Sequence, residues 1–141
     1  MKTLKILVAA LLSVLSLNVV ADDETAKEKL TIDYALKSYI NAFTAGKVKG
    51  FPEVLAGDVK FTETRGERII NYSKQDILNN LKNNANIQQN CTTEHTVIDQ
   101  NPAQAIIKVT MKYDAFSKVN LVTLSNTGKG WKITNVSSSY I

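Results

Sequence analysis

Glu63 is the side chain of this sequence best placed for chemistry. In the stretch LAGDVKFTETRGER, residues 55–68, a strand period of two puts Val59, Phe61 and Glu63 on one face and Lys60, Thr62 and Thr64 on the other. A carboxylate among apolar neighbours has two readings. Inside a pocket it is a base whose pKa burial raises; outside the core it is a solvated charge that pairs with Arg65 or Arg68. His95 is the only histidine and shares strand parity with Cys91 and Asp99. Those three sit four residues apart, about 13 Å at strand rise, which is too far for one metal ion. His95 is therefore expected as a polar group lining an interior pocket, and no metal is expected. No Gly-x-Ser-x-Gly elbow or phosphate loop occurs, and NTGKG (126–130) reads as a hairpin turn.

The elements that position Glu63 follow from periodicity. Ile32, Leu36, Tyr39, Ile40 and Phe43 lie on one helical stripe, predicting a long amphipathic helix from Glu24 to Gly46. Pro52 and Gly57 then bracket a short second helix as its first turn and its C-terminal cap. The period changes to two over Asp58–Thr64, RGER turns, and Arg68–Tyr72 returns as a short strand. SKQD, Ser73–Asp76, has capping-box spacing ahead of Ile77, Leu78 and Leu81, so a third helix starts there and frays into the Asn-rich NNANIQQN. Four strands follow, over Cys91–Asp99, Ala103–Tyr113, Phe116–Ser125 and Trp131–Tyr140. Their short connections join antiparallel neighbours. Ala105, Ile107, Val109, Met111 and Tyr113 form one apolar face opposite Lys108, Thr110 and Lys112, so the sheet has one dry side. The fold class is α+β, with helices on one face of a curved antiparallel sheet.

The N-terminus carries Lys2 and Lys5, an apolar run from Ile6 to Val20, and Ala21 before an acidic DDE, the order of a secretory signal peptide of residues 1–21. The run is shorter than a spanning helix needs and contains Ser13, Ser16 and Asn18, so no membrane association is expected after cleavage. Residues 22–141, 120 in number, are then one exported domain, periplasmic or secreted. Without Lys2 and Lys5 the net charge falls to about +2. Arginine occurs only at 65 and 68, and no basic stripe with interleaved aromatics is present, so nucleic acid is not an expected partner. The single cysteine, Cys91, cannot form an internal disulfide and reads as a small buried hydrophobe.

The element order, with YALKSYINAFTAGKVKGFPEVLAGDVKFTE (34–63) followed by GKGWKITNVSSSY (128–140), resembles the nuclear transport factor 2-like superfamily over about Thr31 to Tyr140. Its exported lumazine-binding-like and polyketide cyclase-like members are the most similar. The resemblance implies a cone-shaped sheet wrapped around the long helix, a pocket at the wide end, and a homodimer formed through the outer sheet face. Ketosteroid isomerase belongs to the same superfamily. Without a gap through the opening helix and first strand, the resemblance to it places an oxyanion-stabilising tyrosine at Tyr39 and a general base at Glu63. Counted back from NTGKG, its oxyanion aspartic acid falls near Asn120, which cannot ionise.

The expected function is binding of a small, partly apolar molecule without a cofactor, with Phe43, Phe61, Tyr72, His95, Met111 and Tyr113 lining the pocket. An isomerase-like or dehydratase-like proton transfer, with catalytic Glu63, Tyr39 and Asn120, is the alternative. A non-catalytic dimerisation or assembly module is the third reading.

Overall fold

The computed structural model describes residues 25–141. The signal peptide expected over residues 1–21 lies outside the described residues. The elements are α1 (Ile32–Ala45), a 3₁₀ turn (Pro52–Val54), β1 (Leu55–Arg65), β2 (Arg68–Tyr72), α2 (Lys74–Asn83), β3 (Thr92–Gln100), β4 (Gln104–Lys112), β5 (Ser117–Thr127) and β6 (Gly130–Tyr140). The six strands form one curved, unclosed sheet in the order β2-β1-β6-β5-β4-β3.

Four of the neighbouring pairs are antiparallel, and β1 runs parallel to β6. This one parallel pair departs from the all-antiparallel sheet expected from the short connections, because β1 and β6 are far apart in the chain and no hairpin dictates their direction. It has a chemical consequence. Its register sets Phe61 beside Val136 and Glu63 beside Ser138, joining the first half of the domain to the last.

α1 is shorter than the 24–46 helix predicted from its stripe. Thr31 caps it, accepting a hydrogen bond from the Tyr34 N–H at 3.2 Å, and residues 25–28 form a separate short helical segment before a turn at 29–30. At the other end Gly46 takes φ 64°, and its carbonyl accepts from the Asn86 N–H at 3.0 Å. A Cβ on Gly46 would lie 2.5 Å from the Asn86 nitrogen, so the Asn-rich segment after α2 packs directly on the end of α1.

The second helix is only one 3₁₀ turn, and Gly57 lies inside β1 rather than capping a helix. Leu55 and Val59 explain the early start of the strand: both are buried, and strand geometry lets the segment pair with β6 while burying them. The register slips between Leu55 and Lys60, across Gly57 and Asp58. α2 opens with the expected capping box. Ser73 Oγ accepts from the Asp76 N–H at 3.1 Å, and Asp76 Oδ2 accepts from the Ser73 N–H at 2.9 Å.

The core fills the concave side of the sheet. Leu36 and Tyr39 of α1 meet Val59 and Phe61 of β1, Ile107, Val109 and Met111 of β4, Val122 and Leu124 of β5, and Ile133 and Val136 of β6, all buried. Tyr39, Phe43, Phe51 and Phe61 form a ring cluster at centroid separations of 4.7–6.4 Å. The edge strand β3 is exposed along its whole length. Cys91 is half-buried against the core and is a free thiol. Among the described residues no helix is long and apolar enough to cross a membrane.

Candidate functional site

Past the buried rows, the inner face of the sheet turns polar. Strand pairing lines up Glu63, Ser138, Asn120 and Val109 as one cross-strand row, and Tyr140, Lys118 and Met111 as the next, with Arg65 alongside. That second row opens into a cleft of about 870 Å³ between α2, the end of α1 and the strand ends. Phe43, Tyr72, Tyr113, Phe116 and Ile77 form apolar parts of its wall, and Glu63, Arg65, Lys118, Asn71, Asn80 and Gln89 supply polar groups.

Glu63 is both inside and paired. Its side chain is 13% exposed and Oε1 accepts from Arg65 Nε at 2.5 Å, while the Arg65 side chain is 59% exposed. Arg65 also lies over the Tyr140 ring, 5.6 Å from its centroid. Burial pushes the Glu63 carboxyl up, but hydrogen bonds from Arg65 and Tyr140 and the charges of Lys118 and Arg65 outweigh it, and the carboxyl sits below its ordinary value. The raised pKa expected for a buried base is thus replaced by a lowered one. Sequence alternation gave Glu63 its face correctly, but Arg65 has the same parity and follows it inward to the rim.

Tyr39 is fully buried, and burial drives its hydroxyl far above the ordinary tyrosine range. It reaches Glu63 only at a void of about 30 Å³, lined also by Phe61, Lys118 and Ser138, with room for about one water molecule. Asn120 is fully buried, and its amide is engaged on both sides. Nδ2 donates to the Val109 carbonyl at 3.1 Å, and Oδ1 accepts from Ser138 Oγ at 2.7 Å. The three residues assigned to catalysis therefore share one region, but they do not converge on a ligand-sized space.

Of the residues expected to line a pocket, Phe43, Tyr72, Met111 and Tyr113 border the cleft and Phe61 lies beneath it. His95 is elsewhere. It is exposed on β3, opposite Val109, and lines a separate shallow depression with Leu30, Ile32, Leu36 and Trp131 at the start of α1. Among the described residues no group of three or more His, Cys, Asp or Glu side chains could hold a metal ion.

Lys118, Tyr140, Phe116 and Gln89 are among the cleft residues that the sequence reading missed. Lys118 shares parity with the buried Asn120, Val122 and Leu124, so β5 carried the signal, yet a lysine reads as solvent-facing. Its ammonium lies 5.2 Å from the Phe43 ring centroid, and burial lowers its pKa against the opposing pull of Glu63. Tyr113 donates to Gln89 Oε1 at 2.8 Å, and burial, with Cys91 beside it, pushes the Tyr113 hydroxyl up to about 12.

The family described as "Putative lumazine-binding" matches residues 27–139. The chain belongs to that family. Among curated proteins none matches. Solved structures agree with the lumazine-binding-family fold. A nuclear transport factor 2-like protein of unknown function from Silicibacter pomeroyi is 13% identical, with 86% of this chain and 98% of that one covered, at a TM-score of 0.63. Its counterpart from Methylobacillus flagellatus is 20% identical, with coverages of 86% and 94% and a TM-score of 0.61. A ketosteroid isomerase-like protein from Erwinia carotovora atroseptica is 15% identical, with coverages of 78% and 93% and a TM-score of 0.57. These identities show a common fold; residue roles rest on the geometry of this chain.

Proposed function

We propose that the domain is exported and binds a small, partly apolar molecule in the 870 Å³ cleft. The observation that carries this is the cleft's makeup: aromatic side chains stand among many polar ones, and Glu63, Arg65 and Lys118 meet at one place beside them. The lumazine-binding description of the family agrees with a small-molecule ligand. Native mass spectrometry of the purified protein, followed by thermal-shift screening with heterocyclic and aromatic compounds, tests the reading. A retained molecule or a saturable rise in melting temperature supports it. Neither one, across a broad panel, sinks it.

Export rests on the order of charge and apolar residues over 1–21. Recovery of a chain beginning at Asp22 from the periplasm or medium is the expected outcome. Dimerisation through the outer sheet face is part of the same reading, since Ile106, Val119 and Leu121 lie on that face and Leu121 is 42% exposed. Analytical ultracentrifugation of the wild type and Leu121→Lys tests it.

A second reading, proton transfer with Glu63 as base, has one observation in its favour: Glu63 and Tyr39 border the same small void. Its test is turnover of a panel of enolisable ketones by the wild type and Glu63→Gln. Turnover in the first and none in the second supports it; inactivity of both removes it.

A further inference from the structure

Two carboxylates border the cleft, and each already has partners: Glu63 accepts from Arg65, and Asp76 accepts from the Ser73 backbone. Lys118 does not share this. No acceptor lies within hydrogen-bond reach of its ammonium among the described residues, and no carboxylate lies within ion-pairing distance. Its stem is packed on the inner face of β5, between Met111 and Tyr140, so the amine is held at the cleft wall instead of swinging into solvent.

The rings beside it are arranged for a flat guest. Tyr113 and Phe116 stack at 4.7 Å with an interplanar angle of 17°, and Phe116 meets Tyr140 at 5.8 Å. Phe116 is 44% exposed at the mouth, an apolar face left in water in the same cleft as an ammonium that lies over the Phe43 ring and has no acceptor among the described residues. An aromatic anion satisfies both groups at once, because its rings cover exposed aromatic surface while its charge meets a desolvated ammonium.

We propose that the cleft selects flat aromatic anions, the acidic group held by Lys118 and the rings by Phe116 beside Tyr140. The proposal rests on the reading of the cleft as a ligand site and adds the chemistry of the ligand. The charged and titratable groups facing the same space are Glu63 and Arg65 from β1, Tyr72 from β2, Asp76 from α2, Tyr113 just after β4 and Tyr140 from β6. Arg65 is drawn toward Glu63, which leaves Lys118 as the anion's counter-charge.

Calorimetric titration of the purified protein with 2-naphthoate and with 2-naphthamide, equal in shape and different in charge, tests this. The expected result is a preference for naphthoate of about tenfold or more, the scale of one charge-assisted contact. Lys118→Met removes the preference, weakening naphthoate by about tenfold more than naphthamide, and Lys118→Arg keeps most of it. The wild type supplies a readout independent of any variant. As pH rises, the preference fades below the range in which an ordinary lysine deprotonates, since burial makes Lys118 lose its proton early. Equal binding of the two probes, or a preference that survives in Lys118→Met, overturns the proposal and leaves the cleft as a ligand site. Binding of neither probe overturns it too, and thermal-shift hits from the broader panel then decide whether the cleft binds other molecules.

Discussion

Asn120 and Glu63 stand in one cross-strand row with Ser138 between them, and the Ser138 hydroxyl donates to Asn120. The amide is thus a brace that ties β4, β5 and β6 beneath the cleft. Its carbonyl oxygen and one of its amide hydrogens are used inside the protein.

If that is its work, Asn120→Ala loses stability by about 1–3 kcal/mol, the cost of leaving buried partners unsatisfied. Urea unfolding measures it. Ligand affinity, once a ligand is in hand, changes little in the same variant, whereas a donor to the ligand would show the reverse pattern.

Glu63 ties stability to pH on the acid side. Its folded-state pKa lies below the ordinary 4.5, so the unfolded chain binds the proton more readily. The stabilisation is present above the ordinary value and is lost as pH falls through the folded one. Glu63→Gln is therefore less stable than the wild type at neutral pH, and the gap in melting temperature closes as the solution is acidified. A gap independent of pH contradicts the pairing with Arg65.

Lys118 shifts the same way with pH, but at neutral pH it costs stability where Glu63 contributes it. A lysine whose pKa is lowered costs stability while it is charged, and the cost eases as pH rises through its folded-state value. Lys118→Met should raise the melting temperature at neutral pH while abolishing the preference for aromatic anions. A gain in stability coupled to a loss of binding marks a residue kept for its ligand.

Tyr39 separates packing from chemistry by size. Tyr39→Ala empties the centre of the aromatic cluster and costs about 3–5 kcal/mol. Tyr39→Phe keeps the ring and costs about 1 kcal/mol or less. Denaturant unfolding of both, with ligand titration of the second, assigns the hydroxyl.

Gly46 links the cleft wall to the end of α1. Gly46→Ala combines a strained positive φ with a Cβ driven into the Asn86 backbone, and is expected to cost about 1–3 kcal/mol. Hydrogen exchange should quicken first across residues 84–89.

Local signals proved legible wherever one residue type has one physical use. Ser73 and Asp76 announced α2 because a side-chain acceptor and a carboxylate three residues on satisfy the helix's first donors. β3 to β6 were legible within one or two residues at most ends, since alternation and turn residues are short-range properties. The first helix was drawn too long because the Ala-, Lys- and Glu-rich residues before Thr31 favour a helix themselves, and only the hydroxyl contact shows where it begins. The short second helix failed for a similar reason: Pro52 suits a 3₁₀ turn as well as a helix.

By itself, then, the sequence determined the α+β order, the dry side of the sheet and the face on which Glu63 points, all consequences of period and parity. Tertiary structure decided the rest. The parallel pairing of β1 with β6 brings Glu63 to Ser138, and Arg65 lies over Tyr140, from segments some seventy residues apart, which no local pattern encodes. Tertiary packing also left His95 on an exposed edge strand and put Lys118 in the cleft. Periodicity says which way a side chain points along its own strand. Whether that direction meets helix, cleft or water depends on what packs there, and chain segments far apart in sequence settle it.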